Sequence, residues 1–218
     1  MKIKQLLSLT FIIMMLASCN KKDDFNYPPG TVGSSRITYF PTMTLQGEDY
    51  VAVPVGSTFT DPGVDAEAAG ETIQYTTDGT VDTNTPGVYT LTYTAFNKDG
   101  FSASVSRYVA VYSTDASAQD NDFSGTYLRA ATGASSTWVK LAPGVYKVDN
   151  PGGAVGVNLV VFTFNPTGNV IHIPTQISND GNTTTSSDEV YTPGTPASYV
   201  IKIINPGYGT GLRSFVKQ

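Results

Sequence analysis

Hydrophobic and polar positions alternate with a period of two wherever the chain is patterned strongly enough to read. Tyr89, Leu91, Tyr93 and Ala95 share one face while Thr90, Thr92 and Thr94 share the other, and the run Arg107 to Tyr112 alternates again. That period belongs to strands with one face turned to a core. Turn formers punctuate the runs at Asp61-Pro62-Gly63, Asp78-Gly79, Thr85-Pro86-Gly87 and Lys98-Asp99-Gly100, the last marking a hairpin. Short strands at this spacing between Arg36 and Ser113 predict a β-sandwich. Residues 114–122, TDASAQDND, lack large apolar side chains and read as a linker. A second β region over 123–218 follows, with strands expected at 125–131, 137–141, 145–148, 158–164, 170–173, 198–204 and 212–216. The stretch Asn179 to Pro196, rich in Ser, Thr, Gly and Pro, reads as a long loop. No window of helical length carries a 3.6-residue period, so the expected class is all-β: a sandwich, then a second antiparallel β-sandwich or small β-barrel.

The first 18 residues break this pattern. Lys2 and Lys4 precede the apolar run Leu6 to Leu16, and small Ala17 and Ser18 lead to Cys19. Charged, apolar, then small is the order of a signal peptide, and the run falls short of the about 20 residues that a spanning helix needs. Leu16-Ala17-Ser18-Cys19 resembles the bacterial lipobox, which implies cleavage before Cys19 and a membrane anchor through lipid on that cysteine. The alternative is ordinary cleavage at Ala17 or Ser18 with a free thiol left behind. Cys19 is the only cysteine, which excludes an internal disulfide and cysteine-based redox or zinc chemistry. Residues 19–35 lack apolar periodicity and read as a flexible tether. Lys21-Lys22-Asp23-Asp24 resembles the export signals that send Bacteroidetes lipoproteins to the outer face of the outer membrane.

Within 36–113, three stretches carry a family likeness: Val53-Pro54-Val55-Gly56-Ser57-Thr58-Phe59, Asp61-Pro62-Gly63-Val64, and Val81 to Tyr93 with its Thr85-Pro86-Gly87-Val88-Tyr89 core. With the hairpin Asn97-Lys98-Asp99-Gly100 and the closing Arg107 to Val111, they resemble the bacterial immunoglobulin-like domain also found in Cry22-type toxins. The resemblance implies an immunoglobulin-like sandwich that serves as a spacer. Farther on, Phe123 to Arg129 and Leu141 to Tyr146 resemble the carboxy-terminal domain of small Bacteroidetes lipoproteins. Such proteins are associated with starch-utilisation-type glycan uptake systems, which implies glycan binding beside an outer-membrane transporter complex.

Composition narrows the chemistry. Losing residues 1–18 removes two of the 13 basic residues and none of the 18 acidic ones, leaving 11 against 18 and a net charge of −7. An acidic chain of this kind is not expected to hold nucleic acid. His172, the sole histidine, sits between Ile171 and Ile173 on the opposite strand face, so a solvent-facing histidine is expected rather than a catalytic base. No Gly-x-Ser-x-Gly turn is present to activate a serine. Carboxylates such as Asp61, Asp65, Asp82, Asp149, Asp188 and Glu189 lie mostly in turns and loops, where they read as turn and solvating residues. Asp120-Asn121-Asp122 and Asn179-Asp180-Gly181-Asn182 offer oxygen ligands but no closing carboxylate of a calcium loop. The expectation is a non-enzyme without cofactor or metal.

The aromatic residues suggest a ligand face. Alternation in Thr137-Trp138-Val139-Lys140-Leu141 assigns Val139 and Leu141 to the core, placing Trp138 and Lys140 outside. The same logic turns Leu128 inward and Tyr127 and Arg129 outward. Tyr127, Arg129, Trp138 and Lys140 then form a candidate glycan platform, in which aromatic faces stack on sugar rings and the cations donate to hydroxyls. Tyr89 and Tyr146, each in Pro-Gly-Val-Tyr, read as tyrosine corners with structural roles. The expected function is a surface lipoprotein that binds polysaccharide or oligosaccharide. The contrasting reading is a structural or adhesive protein with no small ligand.

Overall fold

The computed structural model describes residues 28–32, 35–209 and 211–218. The expected leader, Cys19 and Lys21 to Asp24 lie outside the described residues. Two compact units divide the chain after Tyr39. In the first, β1 (Thr31–Val32) and β2 (Ser35–Arg36) pair antiparallel, and Ile37 N donates to Gly30 O at 2.7 Å. Arg36, where the sequence pattern starts the sandwich, therefore belongs to this hairpin.

The second unit begins with two facing sheets. One holds β3 (Thr42–Leu45), β5 (Val64–Ala68) and β6 (Glu71–Thr72). The other holds β4 (Tyr50–Pro54), β9 (Ser102–Tyr112), β8 (Gly87–Phe96) and β7 (Tyr75–Asp78), in that order, with β4 parallel to β9. Leu91, Tyr93 and Ala95 are buried, as their alternation requires, and Leu91 and Tyr93 pack with Val64, Met43, Leu45 and Phe59. The Thr face of β8 pairs with serines of β9, Thr92 with Ser106 at 3.1 Å and Thr94 with Ser104 at 2.9 Å. The expected β8–β9 hairpin is present, its turn closed by Asn97, whose side-chain oxygen accepts from the Asp99 and Phe101 amides. Tyr89 forms its expected corner, donating from its hydroxyl to Thr85 O at 2.8 Å.

One charge lies inside this sandwich. Arg107 is fully buried, and its guanidinium donates to the Asp61 carboxylate, the Tyr93 hydroxyl and the carbonyls of Gln46, Glu48 and Gly63. Tyr93 in turn donates to Asp61 at 2.6 Å. A buried cation is tolerated only when an anion and further acceptors replace its water, and five acceptors do so here. Asp61 keeps its expected turn role, accepting from Gly63 N, but it is also the counter-ion that ties the loops to β8 and β9.

Residues 114–122 are fastened rather than loose. A single turn of helix, α1 (Ala116–Gln119), is capped by Asp115, which accepts from Ser117 N at 2.8 Å, and Ala118 is buried. Thr114 donates to Pro143 O, Asp115 N to Pro166 O, and the Asn121 amide to Asn165 and Gly168.

The remaining residues curl into one eight-stranded, barrel-like antiparallel sheet. The strands are β10 (Gly125–Arg129), β11 (Ala134–Ala142), β12 (Val145–Asp149), β13 (Val160–Phe164), β14 (Gln176–Ile177), β15 (Thr183–Thr192), β16 (Ser198–Ile204) and β17 (Arg213–Lys217). Their order is β13-β12-β11-β10-β17-β16-β15-β14. Of the expected strands, 170–173 contributes only a single bridge, His172 to Phe164. The expected loop at 179–196 is corrected, because Thr183–Thr192 forms a full strand. Its inward residues, Thr184 and Ser186, are buried but polar, so no hydrophobic period marks it. A hydrogen bond between the Thr184 and Ser178 hydroxyls at 2.7 Å, and one from the Ile173 amide to Ser186 at 2.8 Å, satisfy them instead.

Side chains close the barrel seam between β13 and the segment 172–179. Phe164 and His172 exchange two backbone hydrogen bonds. Two residues back, the Gln176 side-chain amide donates to Phe162 O at 2.9 Å and accepts from Phe162 N at 2.8 Å, standing in for a backbone partner. Asn179 repeats the device, accepting from Val160 N and donating to Asn158 O. The edge of β13 is thereby satisfied without a continuous ladder.

The outer face of β12 and β13 packs on the outer face of the four-stranded sheet. Val145, Val160 and Phe162 from the barrel meet Tyr50 and Ala110, with Ala52, Val88, Tyr108 and Tyr112 around them. Tyr50 stacks on Tyr108 at 4.9 Å between ring centroids, meets Phe162 edge-on at 5.3 Å, and carries Lys147 Nζ over its ring at 4.7 Å.

Candidate functional site

The four platform residues are not a surface. Tyr127 is fully buried and Trp138 is 2% exposed, whereas Val139 is 45% exposed and Leu141 37%. The alternation on β10 and β11 is real, but the faces are the reverse of the expected ones. The interior of an eight-stranded barrel takes wide side chains, and Tyr127, Trp138, Tyr146, Tyr199 and Phe215 fill it together. Trp138 lies 5.1 Å from the Tyr199 ring and 5.8 Å from Tyr127, and its indole N–H donates to the Tyr199 hydroxyl at 3.3 Å. Tyr127 donates to Phe123 O at 2.8 Å, a second four-residue tyrosine corner that the sequence pattern did not single out. Tyr146 has the expected structural role with a longer reach, donating to Asn121 O at 2.8 Å.

The two cations of the expected platform are separated. Gly125 pairs with Trp138 and Arg129 with Ala134, so Lys140 and Arg129 fall at opposite ends of the β10–β11 pair. Lys140 Nζ donates to Asn121 O at 2.7 Å and fastens α1 over one end of the barrel. Arg129 faces the other end, where the loop Asn150-Pro151-Gly152-Gly153 plugs the sheet. Its last three residues are buried. Gly152 and Gly153 allow this insertion, since a Cβ on either would collide with Tyr208, Phe215 or Arg129 side-chain atoms.

At that end two guanidinium groups converge. Arg213 donates to Gly152 O at 3.0 Å and to Gly209 O at 3.3 Å, while Arg129 reaches Gly152 O at 3.4 Å and Gly153 O at 3.3 Å. Arg213 is only 8% exposed and lies over the Tyr208 ring at 4.8 Å. Burial, and then the like charge of Arg129, hold the Arg213 guanidinium below its ordinary value, and neither arginine meets a carboxylate among the described residues. Arg213 Nε and the Tyr208 hydroxyl are both buried without a hydrogen-bond partner among the described residues. Burial pushes the Tyr208 phenol up to about 12, against the pull of Arg213.

Tyr208 also lines an open cleft of about 420 Å³ on the outer face of β15 and β16, with Thr183, Thr185, Lys202, Ile204 and Asn205. Asn205 builds the turn that presents Tyr208: its side-chain oxygen accepts from Gly207 N, and its amide donates to Thr184 and Asp180. Burial opposes ionisation of Asp180, but hydrogen bonds from Ser178, Asn205 and Asn182 outweigh it and hold the carboxyl at about 2. Asp180 thus serves the loop that was considered for calcium. No group of three or more metal-ligating side chains occurs among the described residues. Sequence reasoning missed this site because Tyr208 and Arg213 flank a Gly-rich loop with no period to assign their direction.

His172 stands outside the cleft. Ile171 and Ile173 are buried and His172 is exposed, as expected, with Nδ1 3.2 Å from Glu189. Ser186 also donates to Glu189, so a carboxylate stands between the hydroxyl and the imidazole. A nucleophilic serine needs the imidazole beside it, and this order cannot supply that.

Residues 43–111 match the family model described as "Bacterial surface protein, Ig-like domain", the stretch that folds as the two facing sheets. The crystal structure of the lipoprotein BT2262 from Bacteroides thetaiotaomicron is similar at 25% sequence identity. That match covers 82% of this chain and 100% of the other, with a TM-score of 0.43. No curated protein matches the chain.

Proposed function

We propose that the chain is a non-catalytic surface lipoprotein whose barrel holds a polysaccharide or oligosaccharide, anchored through Cys19 on the outer membrane and facing outward. The observation that carries the reading is the cleft on β15 and β16. It is open, and it brings an aromatic ring, Tyr208, together with the amide of Asn205, the hydroxyls of Thr183 and Thr185 and the ammonium of Lys202. Apolar walls with a few placed donors suit sugar rings, which present C–H faces to an aromatic ring and hydroxyls to polar groups. A shallow site of this size supports dissociation constants on the order of micromolar to millimolar, and a membrane anchor compensates by concentrating sites. Delivery to an outer-membrane uptake complex is part of this reading. The immunoglobulin-like domain, whose family is that of bacterial surface proteins, supports the surface placement. The burial of Tyr127 and Trp138 favours the alternative, a structural or adhesive lipoprotein with no small ligand.

Affinity electrophoresis of the folded protein through gels containing different polysaccharides separates the two. Retardation by at least one glycan is expected, and Thr185→Trp, which fills the cleft from an outward position, is expected to weaken it about tenfold or more. If every glycan leaves the wild type unretarded, or if Thr185→Trp is retarded as strongly as the wild type, the cleft is not a glycan site.

A further inference from the structure

The paired arginines at the plugged end of the barrel are over-provided for a structural task. Gly152 O accepts from both, Gly153 O already accepts from Thr132 at 2.7 Å, and both bonds from Arg129 are long, at 3.3 and 3.4 Å. Arg129 uses only one of its three nitrogens on these carbonyls, and the other two make no hydrogen bond to the described residues. Two cations share one carbonyl without an anion, in a chain whose net charge is −5. Isolated like charges in a partly desolvated place raise each other's free energy, and an anion between them relieves both. The buried, unpartnered Arg213 Nε and Tyr208 hydroxyl are two further donors at the same place. Tyr208 belongs both to this cluster and to the cleft, so the two are continuous through one side chain.

Building on the glycan reading, we propose that Arg129 and Arg213 recognise an acidic substituent and that the glycan held in the cleft is a polyanion bearing carboxylate or sulfate groups. Planar guanidinium forks match both oxyanions geometrically, and Lys202 on the cleft adds a third cation along the polymer. Arg129 is the accessible member of the pair and the one that a substituent meets first.

The test runs the full folded chain through gels containing polygalacturonate, dextran sulfate, neutral dextran or starch. Retardation by polygalacturonate or dextran sulfate, and not by the neutral polymers, is expected, and the stronger of the two identifies the oxyanion. Arg129→Gln is expected to weaken it about tenfold, while Lys98→Gln, which removes an exposed charge from the β8–β9 hairpin and lines neither the arginine pair nor the cleft, leaves it unchanged. An equal loss in Lys98→Gln reduces the effect to bulk charge and overturns the proposal. Retardation by neutral polymers that Arg129→Gln does not alter also overturns it, yet leaves the glycan reading standing. No retardation by any polymer removes both. Should Arg129→Gln fail to fold, competition on the wild type decides: galacturonate must displace the bound polymer at about one tenth of the concentration that galactose needs.

Discussion

At the scale of single residues, Arg107 shows how far a local pattern can be trusted. It occupies an inward position of β9 in step with Val109 and Val111, and the chain obeys that alternation even though the side chain is charged. The position is viable because Asp61 and Tyr93 converge on it from elsewhere in the chain, which no period reveals. Replacing Arg107 with Met removes the donor shared by the partly exposed Asp61 carboxylate, the Tyr93 hydroxyl and three loop carbonyls, and a loss of about 3–5 kcal/mol is expected. Chemical denaturation of Arg107→Met measures it, and the double variant with Asp61→Leu is expected to recover a large part, since removing both charges also removes the desolvation cost. If the double variant is no more stable than the single, the pair is not the reason for the loss. The same limit of local pattern explains the inverted platform. Alternation sorted Tyr127 and Trp138 from Leu128 and Val139 correctly, but it sorts residues into two sets without naming the inner one. The width of the barrel interior makes that choice in favour of the rings.

At the scale of elements, strands were legible where apolar residues mark one face and illegible where buried polar residues replace them. β8, β12 and β16 fall close to their expected bounds and β9 extends the expected run 107–112 back to Ser102, whereas β15 reads as a loop because Thr184 and Ser186 point inward. The seam is a related case: Gln176 and Asn179 act as strand partners through their side chains, and nothing in the spacing of two amides announces it. Their contribution is measurable. Gln176→Ala leaves the N–H and C=O of Phe162 unpaired in a buried place, with an expected cost of about 2–4 kcal/mol, allowing roughly 1–2 for each group. Hydrogen exchange read residue by residue is the sharper measurement. The Phe162 amide is expected to lose protection well beyond the change at the β16–β17 pairs, which bond through backbone alone. A uniform change across the barrel counts against a local seam.

At the scale of the whole unit from Phe40 to Gln218, the spacing of strands foretold two β regions joined by a polar segment but not how they are joined. Residues 114–122 lack an apolar period because their purpose is to hydrogen-bond to the barrel, and composition alone cannot tell a fastened joint from a loose one. The apolar joint is instead made by strand faces: Tyr50, Tyr108 and Ala110 on one side and Val145, Val160 and Phe162 on the other. β9 is therefore buried on both faces, Val109 and Val111 toward the sandwich and Ala110 toward the barrel, which couples the two regions energetically. Packing of this kind ties the sandwich to the barrel through strand faces. The intact chain is expected to unfold in one calorimetric transition, with ΔH matching its van't Hoff value. Ala110→Arg places a charge where no space or water exists, and is expected to split that transition in two while leaving the barrel signal of Trp138 fluorescence close to its native maximum at low denaturant. A single transition in the variant, merely shifted to lower temperature, would mean that cooperativity runs through the fastened 114–122 joint rather than through the strand faces. In that case Asn121→Ala, which cuts the joint's bonds to Asn165 and Gly168, is the variant that should separate the two regions.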